Sequence, residues 1–199
     1  RVLPEVFEKD PKNIFLARSN RYRLPAEMIR DNALATSGLL VKQRGGESVK
    51  PYQPEGLWKE KSTFSLRLYD YKTTKGDSLY RRSLYTFIRR TSPPPSMIAF
   101  DATSREICTV QRETTSTPLQ ALVLLNDVQF FEASRVLAER IQKEGGSALE
   151  EQIKYGFRLA TSRYPYPEEI EVLKELYQKQ LNHYKKNPQA AKKTLNVGE

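Results

Sequence analysis

Between Tyr80 and Thr117 the chain carries Arg81, Arg82, Arg89, Arg90, Arg105 and Arg112 but no lysine, opposed only by Asp101, Glu106 and Glu113. A guanidinium presents a planar fork that matches carboxylate, phosphate or sulfate in bidentate fashion, and it tolerates burial better than an ammonium. This composition suits a pocket for an anion, lined by Arg82, Arg89, Arg90, Arg105 and Arg112, with Asp101 fixing one guanidinium. The same residues also suit a structural network. In that reading Asp101, Glu106, Glu113 and helix C-terminal carbonyls satisfy the arginines and hold the triple-proline turn at 93–95. The network is the preferred reading of the two.

Other reactive side chains carry less. Asp101 and Glu106 could serve as an acid–base pair, but a five-residue separation does not force them together. Cys108, in the string EICTV between Ile107 and Val110, reads as a buried, unreactive thiol. His183 lies in LNHYKKN and reads as exposed on a lysine-rich helix. With one cysteine and one histidine, the chain cannot form an internal disulfide or a zinc site of Cys and His ligands. No metal site is expected, and the C-x-x-C-H attachment of c-type haem is absent. Gly45-Gly46 lacks the G-K-[ST] of a phosphate loop and reads as a surface turn. No catalytic motif is present, which leaves enzymatic activity open. Tyr52 and Trp58, in KPYQPEGLW, could stack on a sugar or a base; anchoring the long loop that contains them is the preferred role.

The elements that must position these groups are mostly helical. The chain has 199 residues, 38% hydrophobic and 29% charged, with a formal net charge of +9. That length suits one domain, and the modest apolar content predicts a thin core with extended surface segments. The charge is compatible with nucleic acid, an acidic polymer, an anionic membrane surface or an acidic partner domain, though solubility is the preferred explanation. Lys185, Lys186, Lys192 and Lys193 read as a solvated helix face. No apolar run approaches the ~18–20 residues of a membrane span. The chain opens at Arg1 without a signal peptide and reads as a piece of a longer protein.

Four regions follow: an N-terminal helix region over 1–40, an irregular loop over 41–78, the arginine- and proline-rich centre over 79–117, and a helical bundle over 118–199. Asp10-Pro11 predicts a short helical turn through Leu16. Pro25, Glu27 in the first turn, the periodic Met28, Ile29, Ala33 and Leu34, and the stop at Gly38 predict a helix over about 25–37. TFSLRLYDY alternates with a strand-like period of two, and a short hairpin with VKQ or with residues 79–88 would accommodate it. DSLYRRSLYTFIRRTS is read as helix, with a strand also fitting SLYTFI. Thr117-Pro118-Leu119-Gln120 is a capping box, and Asp127 caps the next helix, with a face of Phe130, Phe131, Ser134, Leu137 and Ile141. Ser147 to Glu150 reads as a second box before the stripe Leu149, Ile153, Phe157 and Ala160. A helix from Pro167 should bury Ile170, Leu173, Tyr177, Leu181 and Tyr184, and Asn187-Pro188 starts a last one. The fold class is therefore mainly α: an antiparallel helical array over 118–186, a long irregular segment, and at most a short β-hairpin.

The strings RYRLPAEMIRDNALATSGLL, GGESVKPYQPEGLW, YRRSLYTFIRRTSPPPSMIAFDATSREICTVQRETTSTPLQALVLLND and RLATSRYPYPEEIEVL resemble the planctomycete-specific, cytochrome-c-associated domain of unknown function, family 1553. Ile88 stands where that family often has an aromatic, and Tyr166 where a Thr or Ser cap is usual. The resemblance implies the C-terminal part of the family's domain, at the end of a large protein exported to the periplasm or cell surface. It also implies c-type haem in another module of that protein, none being expected in this chain. It transfers no catalytic residue. The resulting expectation is a non-catalytic interaction or scaffold domain that contacts other domains of its own polypeptide, an anionic polysaccharide or an acidic protein. The alternative is an enzyme domain acting on an anionic carbohydrate, with Asp101 and the arginines in its site. Nucleic-acid binding ranks below both, because the basic residues do not gather on one recognition helix.

Overall fold

The computed structural model describes residues 4–18, 22–60 and 70–199. The strand reading of TFSLRLYDY lies almost wholly outside them. Among the described residues the protein is mainly α-helical and has no sheet.

Helix α1, Pro4–Lys9, precedes a turn region rather than the helical turn expected through Leu16. The reason is Asp10. Its carboxylate accepts the N–H groups of Ile14 (2.8 Å) and Phe15 (3.0 Å), an alternative to helical bonding that short acidic side chains offer the backbone. Helix α2, Ala26–Ser37, matches its expected span. Pro25 precedes it, and Gly38 ends it in the left-handed region with φ 93°, donating to the carbonyls of Leu34 and Ala35. The segment that follows is irregular, as its glycines and prolines predict. Helix α3, Leu57–Glu60, forms one turn within it, and Trp58 is buried there, with Tyr71 edge-on at 4.9 Å. Trp58 thus anchors the loop.

The helix expected over residues 79–88 does not form. Two 3₁₀ turns replace it, Gly76–Tyr80 and Ser83–Tyr85, with isolated bridges from Arg81 to Val41 and from Thr86 to Val49. Both bridges are parallel, so neither belongs to a hairpin. A continuous helix would need the carbonyls of Leu79 and Arg81 for its own ladder. Here both accept from the guanidinium of Arg30, at 2.8 Å and 2.7 Å.

Helix α4, Pro95–Ile98, starts on the last proline of the triple-proline turn. Helix α5, Pro118–Asn126, begins at the Thr117–Gln120 box. Helix α6, Val128–Glu144, is capped by the Asp127 carboxylate, which accepts from Gln129 N–H at 3.0 Å. Helix α7, Leu149–Thr161, starts one residue later than the expected box allows. Glu151, not Glu150, reaches back to the Ala148 N–H, while Glu150 pairs with Lys154 and Lys174. Helices α8, Pro167–Lys186, and α9, Pro188–Leu195, complete the chain. Helices α5 to α9 pack each on the next, and α2 packs along α6. On α8, Ile170 is buried as expected; Tyr177 is instead exposed.

The core is small and sits where α2, α4 and α6 meet. Ala26, Met97, Phe100 and Phe130 form it, with Ile29, Ala33, Ala102 and Val123 packed around. Phe100 and Phe130 meet edge to face at 6.4 Å, a favourable aromatic geometry.

Candidate functional site

Four arginines of the central segment, Arg81, Arg82, Arg89 and Arg112, each reach a different partner. Arg81 is buried and straps the Gly45-Gly46 turn, donating to the carbonyls of Gly45 and Glu47 (2.6 Å to the latter) with its guanidinium 3.9 Å above the Tyr85 ring. Arg82 leans toward Asp31 of α2 at 3.5 Å, with its side chain 59% exposed. Arg89 donates to Thr91 Oγ1 at 3.0 Å and lies over the Trp58 ring at 5.2 Å. Arg112 grips Glu27 with both terminal nitrogens, at 2.7 Å and 3.1 Å. Burial is the largest single influence and raises the Glu27 carboxyl, but the Arg112 hydrogen bonds, the Glu27 backbone N–H and the charges of Arg112 and Arg105 together hold the group below its usual range. Arg90 and Arg105 are exposed, and Arg105 takes a left-handed backbone with φ 64°.

Asp101 is the hinge of this region. Its backbone is left-handed, φ 58°, a conformation Asp adopts more readily than most residues. Its carboxylate accepts the Thr115 N–H at 2.8 Å, the Thr115 hydroxyl at 2.9 Å, and Arg23 Nη2. The Thr115 N–H is the main cause holding its pKa below the ordinary range, with Arg23 adding to it. Asp101 therefore fixes a guanidinium, as expected, but that of Arg23 instead of one from the central cluster. A cavity beside the triple-proline turn is lined by Pro93, Pro95, Ile98, Asp101, Thr115 and Leu119 among others, and no arginine lines it.

Arg23 and Arg30 were not foreseen from the sequence. Arg23 also donates to the carbonyls of Thr115 (3.0 Å) and Phe100 (3.1 Å), tying the approach to α2 onto the central segment. Arg30 is the more deeply held. It is 2% exposed and donates to Gln129 Oε1, Ser83 Oγ and the two carbonyls described above. Burial pushes its guanidinium down to about 10, against the pull of Asp31. A signal for it existed: Arg30 lies four residues after Ala26 and four before Leu34, on the apolar face of α2. A charge at a core-facing helical position is buried and paired, or the helix is misread.

Cys108 is exposed, contrary to its expected burial. Its neighbours Ile107 and Val110 are exposed with it, because this loop runs over the surface instead of packing inward. His183 is exposed, as expected. The lone thiol and the lone imidazole do not fit c-type haem attachment, which needs two cysteines and an adjacent histidine. Among the described residues, no group of His, Cys, Asp and Glu is arranged to hold a metal ion, and no helix is long and apolar enough to cross a membrane.

An exposed apolar surface lies on α5. Leu119, Leu122 and Leu125, spaced at three residues, are 57%, 54% and 69% exposed. Val123, one turn after Leu119, packs on the core. Leu119 and Ile98 line the cavity beside the triple-proline turn, so the apolar face of α5 continues into it.

Comparison with known proteins gives one result. The model of a family described as PSD1, protein of unknown function (DUF1553), matches residues 1–177. No curated protein and no solved structure matches the chain.

Proposed function

The chain belongs to the DUF1553 family of proteins of unknown function, and from that premise we propose that it is a non-catalytic interaction or scaffold domain of a multidomain, exported, haem-containing protein. Its partner in this reading is another domain of the same polypeptide, docked on the leucine face of α5. The observation that carries it is the exposure of Leu119, Leu122 and Leu125 along a helix whose Gln120 and Val123 turn inward. Contiguous exposed apolar surface marks interaction sites in soluble proteins. The arginines fit the same reading. Arg23, Arg30, Arg81 and Arg112 are committed to holding loops and helices together, which leaves the exposed Arg82, Arg90 and Arg105 as the groups an anionic polysaccharide or acidic protein would meet. Export and the haem module come from the family resemblance alone. The enzyme reading finds less support, since Thr115 and Arg23 already occupy the Asp101 carboxylate.

Hydroxyl-radical footprinting of the full-length parent protein beside the isolated 199-residue chain tests the docking. Leu119, Leu122 and Leu125 should be oxidised readily in the isolated chain and protected several-fold in the parent. Equal oxidation in both would remove the proposal.

A further inference from the structure

The segment after α9 lies on the surface, with Asn196, Gly198 and Glu199 exposed, yet it seats on a buried carboxylate, that of Glu132 in α6. Three groups grip Glu199. Glu132 Oε1 accepts its N–H at 2.6 Å. Arg135, one turn along α6, donates to its carbonyl oxygen at 3.0 Å. The Gly76 N–H donates to its side-chain carboxylate at 2.7 Å. One residue is thus read at its N–H, its carbonyl and its side chain, by groups from two separate parts of the fold. The residue before it is read by shape. Gly198 takes φ 90°, and a Cβ there would lie 2.5 Å from Glu132 Oε1 and 2.7 Å from its Cγ. Only glycine fits without displacing a carboxylate that the Tyr80 hydroxyl already holds.

The gripping groups are held by partners other than the segment they bind. Tyr80 donates to Glu132 at 2.8 Å, Glu139 steadies Arg135 at 2.9 Å, and Gly76 opens the 3₁₀ turn Gly76–Tyr80. The site therefore keeps its shape with the segment gone, which makes it a preorganised receptor rather than one half of a mutual clasp. The tether is light. Gly198 and Glu199 hang from α9, a helix of eight residues that packs on α8. In peptide recognition, main-chain hydrogen bonds supply affinity and side-chain pockets supply selectivity, and both are present here. We infer that Glu132, Arg135 and Gly76 form a binding site for glycine followed by glutamate in a segment of another polypeptide, and that Gly198 and Glu199 occupy this site in cis. The site shares no residue with the α5 face and does not depend on the docking proposed above.

The probe is the peptide LNVGE with fluorescein at its amino end and an amide at its carboxyl end, followed by fluorescence polarisation. It would be titrated with the 199-residue chain and with Gly198→Val, whose added side chain cannot sit against Glu132 and so vacates the site. The parent should bind weakly, because its tethered copy competes at a millimolar effective concentration. Gly198→Val should bind saturably and at least ~10-fold tighter, with a Kd on the order of 100 μM. Adding Arg135→Ala to that variant, or placing Gly198→Ala or Glu199→Gln in the peptide, should each weaken binding roughly 5-fold or more. No saturable binding to Gly198→Val, equal binding by the parent, or indifference to all three changes would overturn the inference. If Gly198→Val melts several degrees below the parent, Glu199→Ala takes its place, since it removes only the bond to Gly76. The same gain is expected there, and its absence is equally fatal. A melting temperature several degrees lower in both variants would make the segment a structural clasp and overturn the inference as well.

Discussion

Arg30 donates its Nε–H to Gln129 Oε1 at 2.5 Å, joining α2 to α6 inside the protein across 99 positions of sequence. The rest of the guanidinium holds the carbonyls of Leu79 and Arg81 and the Ser83 hydroxyl. One side chain thus seats the central segment on two helices and sets its 3₁₀ turns against a helix. Replacing it with alanine strands several buried acceptors together, and the cost should be about 3–5 kcal/mol. Arg30→Lys should recover little, because an ammonium cannot span acceptors arranged around a planar fork. Urea denaturation followed by circular dichroism measures both. A loss under ~1 kcal/mol in Arg30→Ala would show that these bonds do not hold the fold.

Asp101 makes acid sensitivity specific to one carboxylate. Its folded pKa lies below the ordinary value, chiefly through the Thr115 N–H, so the stability it contributes is present above the ordinary aspartate range. That contribution is lost as pH falls through the lowered folded value. Asp101→Asn keeps a side chain that tolerates φ 58°, removes the charge and turns one accepting oxygen into an amide donor. The variant should be less stable than the parent at neutral pH, and the two urea midpoints should converge as the pH drops below the ordinary aspartate range. A gap that persists unchanged into strong acid would exclude ionisation of Asp101 as its source.

What the sequence made legible was local. Pro25, Glu27 and Gly38 bracket α2, and Thr117-Pro118 starts α5, because these signals act within one helical turn. The helix expected over 79–88 failed because the carbonyls it needed are taken by Arg30, some fifty residues earlier, which no local pattern encodes. The arginine cluster was visible as composition, but its partners were not. Glu27 could be foreseen as a favourable first-turn charge on α2, yet its pairing with Arg112 spans 85 positions. Cys108 misled because two apolar neighbours suggest a core where the chain instead runs over the surface.

The exposure of Cys108 has a direct chemical consequence. As the chain's one thiol, it should react stoichiometrically with a disulfide reagent under native conditions, at a rate within a few-fold of the urea-unfolded chain. Cys108→Ser should leave the unfolding midpoint unchanged, since surface substitutions away from buried networks stay within about ±0.5 kcal/mol. A thiol that reacts only after unfolding would return Cys108 to the interior.

Glu132 sits beside two phenols that must stay protonated for the fold to persist in alkali. It is 1% exposed, and its Oε1 accepts the Tyr80 hydroxyl at 2.8 Å and the Glu199 N–H at 2.6 Å. Burial first, and then the negative charge of Glu132, together push the neighbouring Tyr52 phenol up to about 12; Tyr80 is raised by burial and by its hydrogen bond to Glu132. A phenol whose folded pKa exceeds its unfolded value of about 10 contributes stability that is complete below pH ~10 and is lost as the pH climbs through the folded value. The protein should therefore lose stability between about pH 10 and 12. Glu132→Gln keeps an acceptor for Tyr80 and removes the charge, so Tyr52 should titrate closer to the ordinary phenol value. Ultraviolet titration of tyrosinate absorbance in both proteins decides it. If the two curves coincide, Glu132 is not what keeps the phenol protonated, and burial alone accounts for the shift.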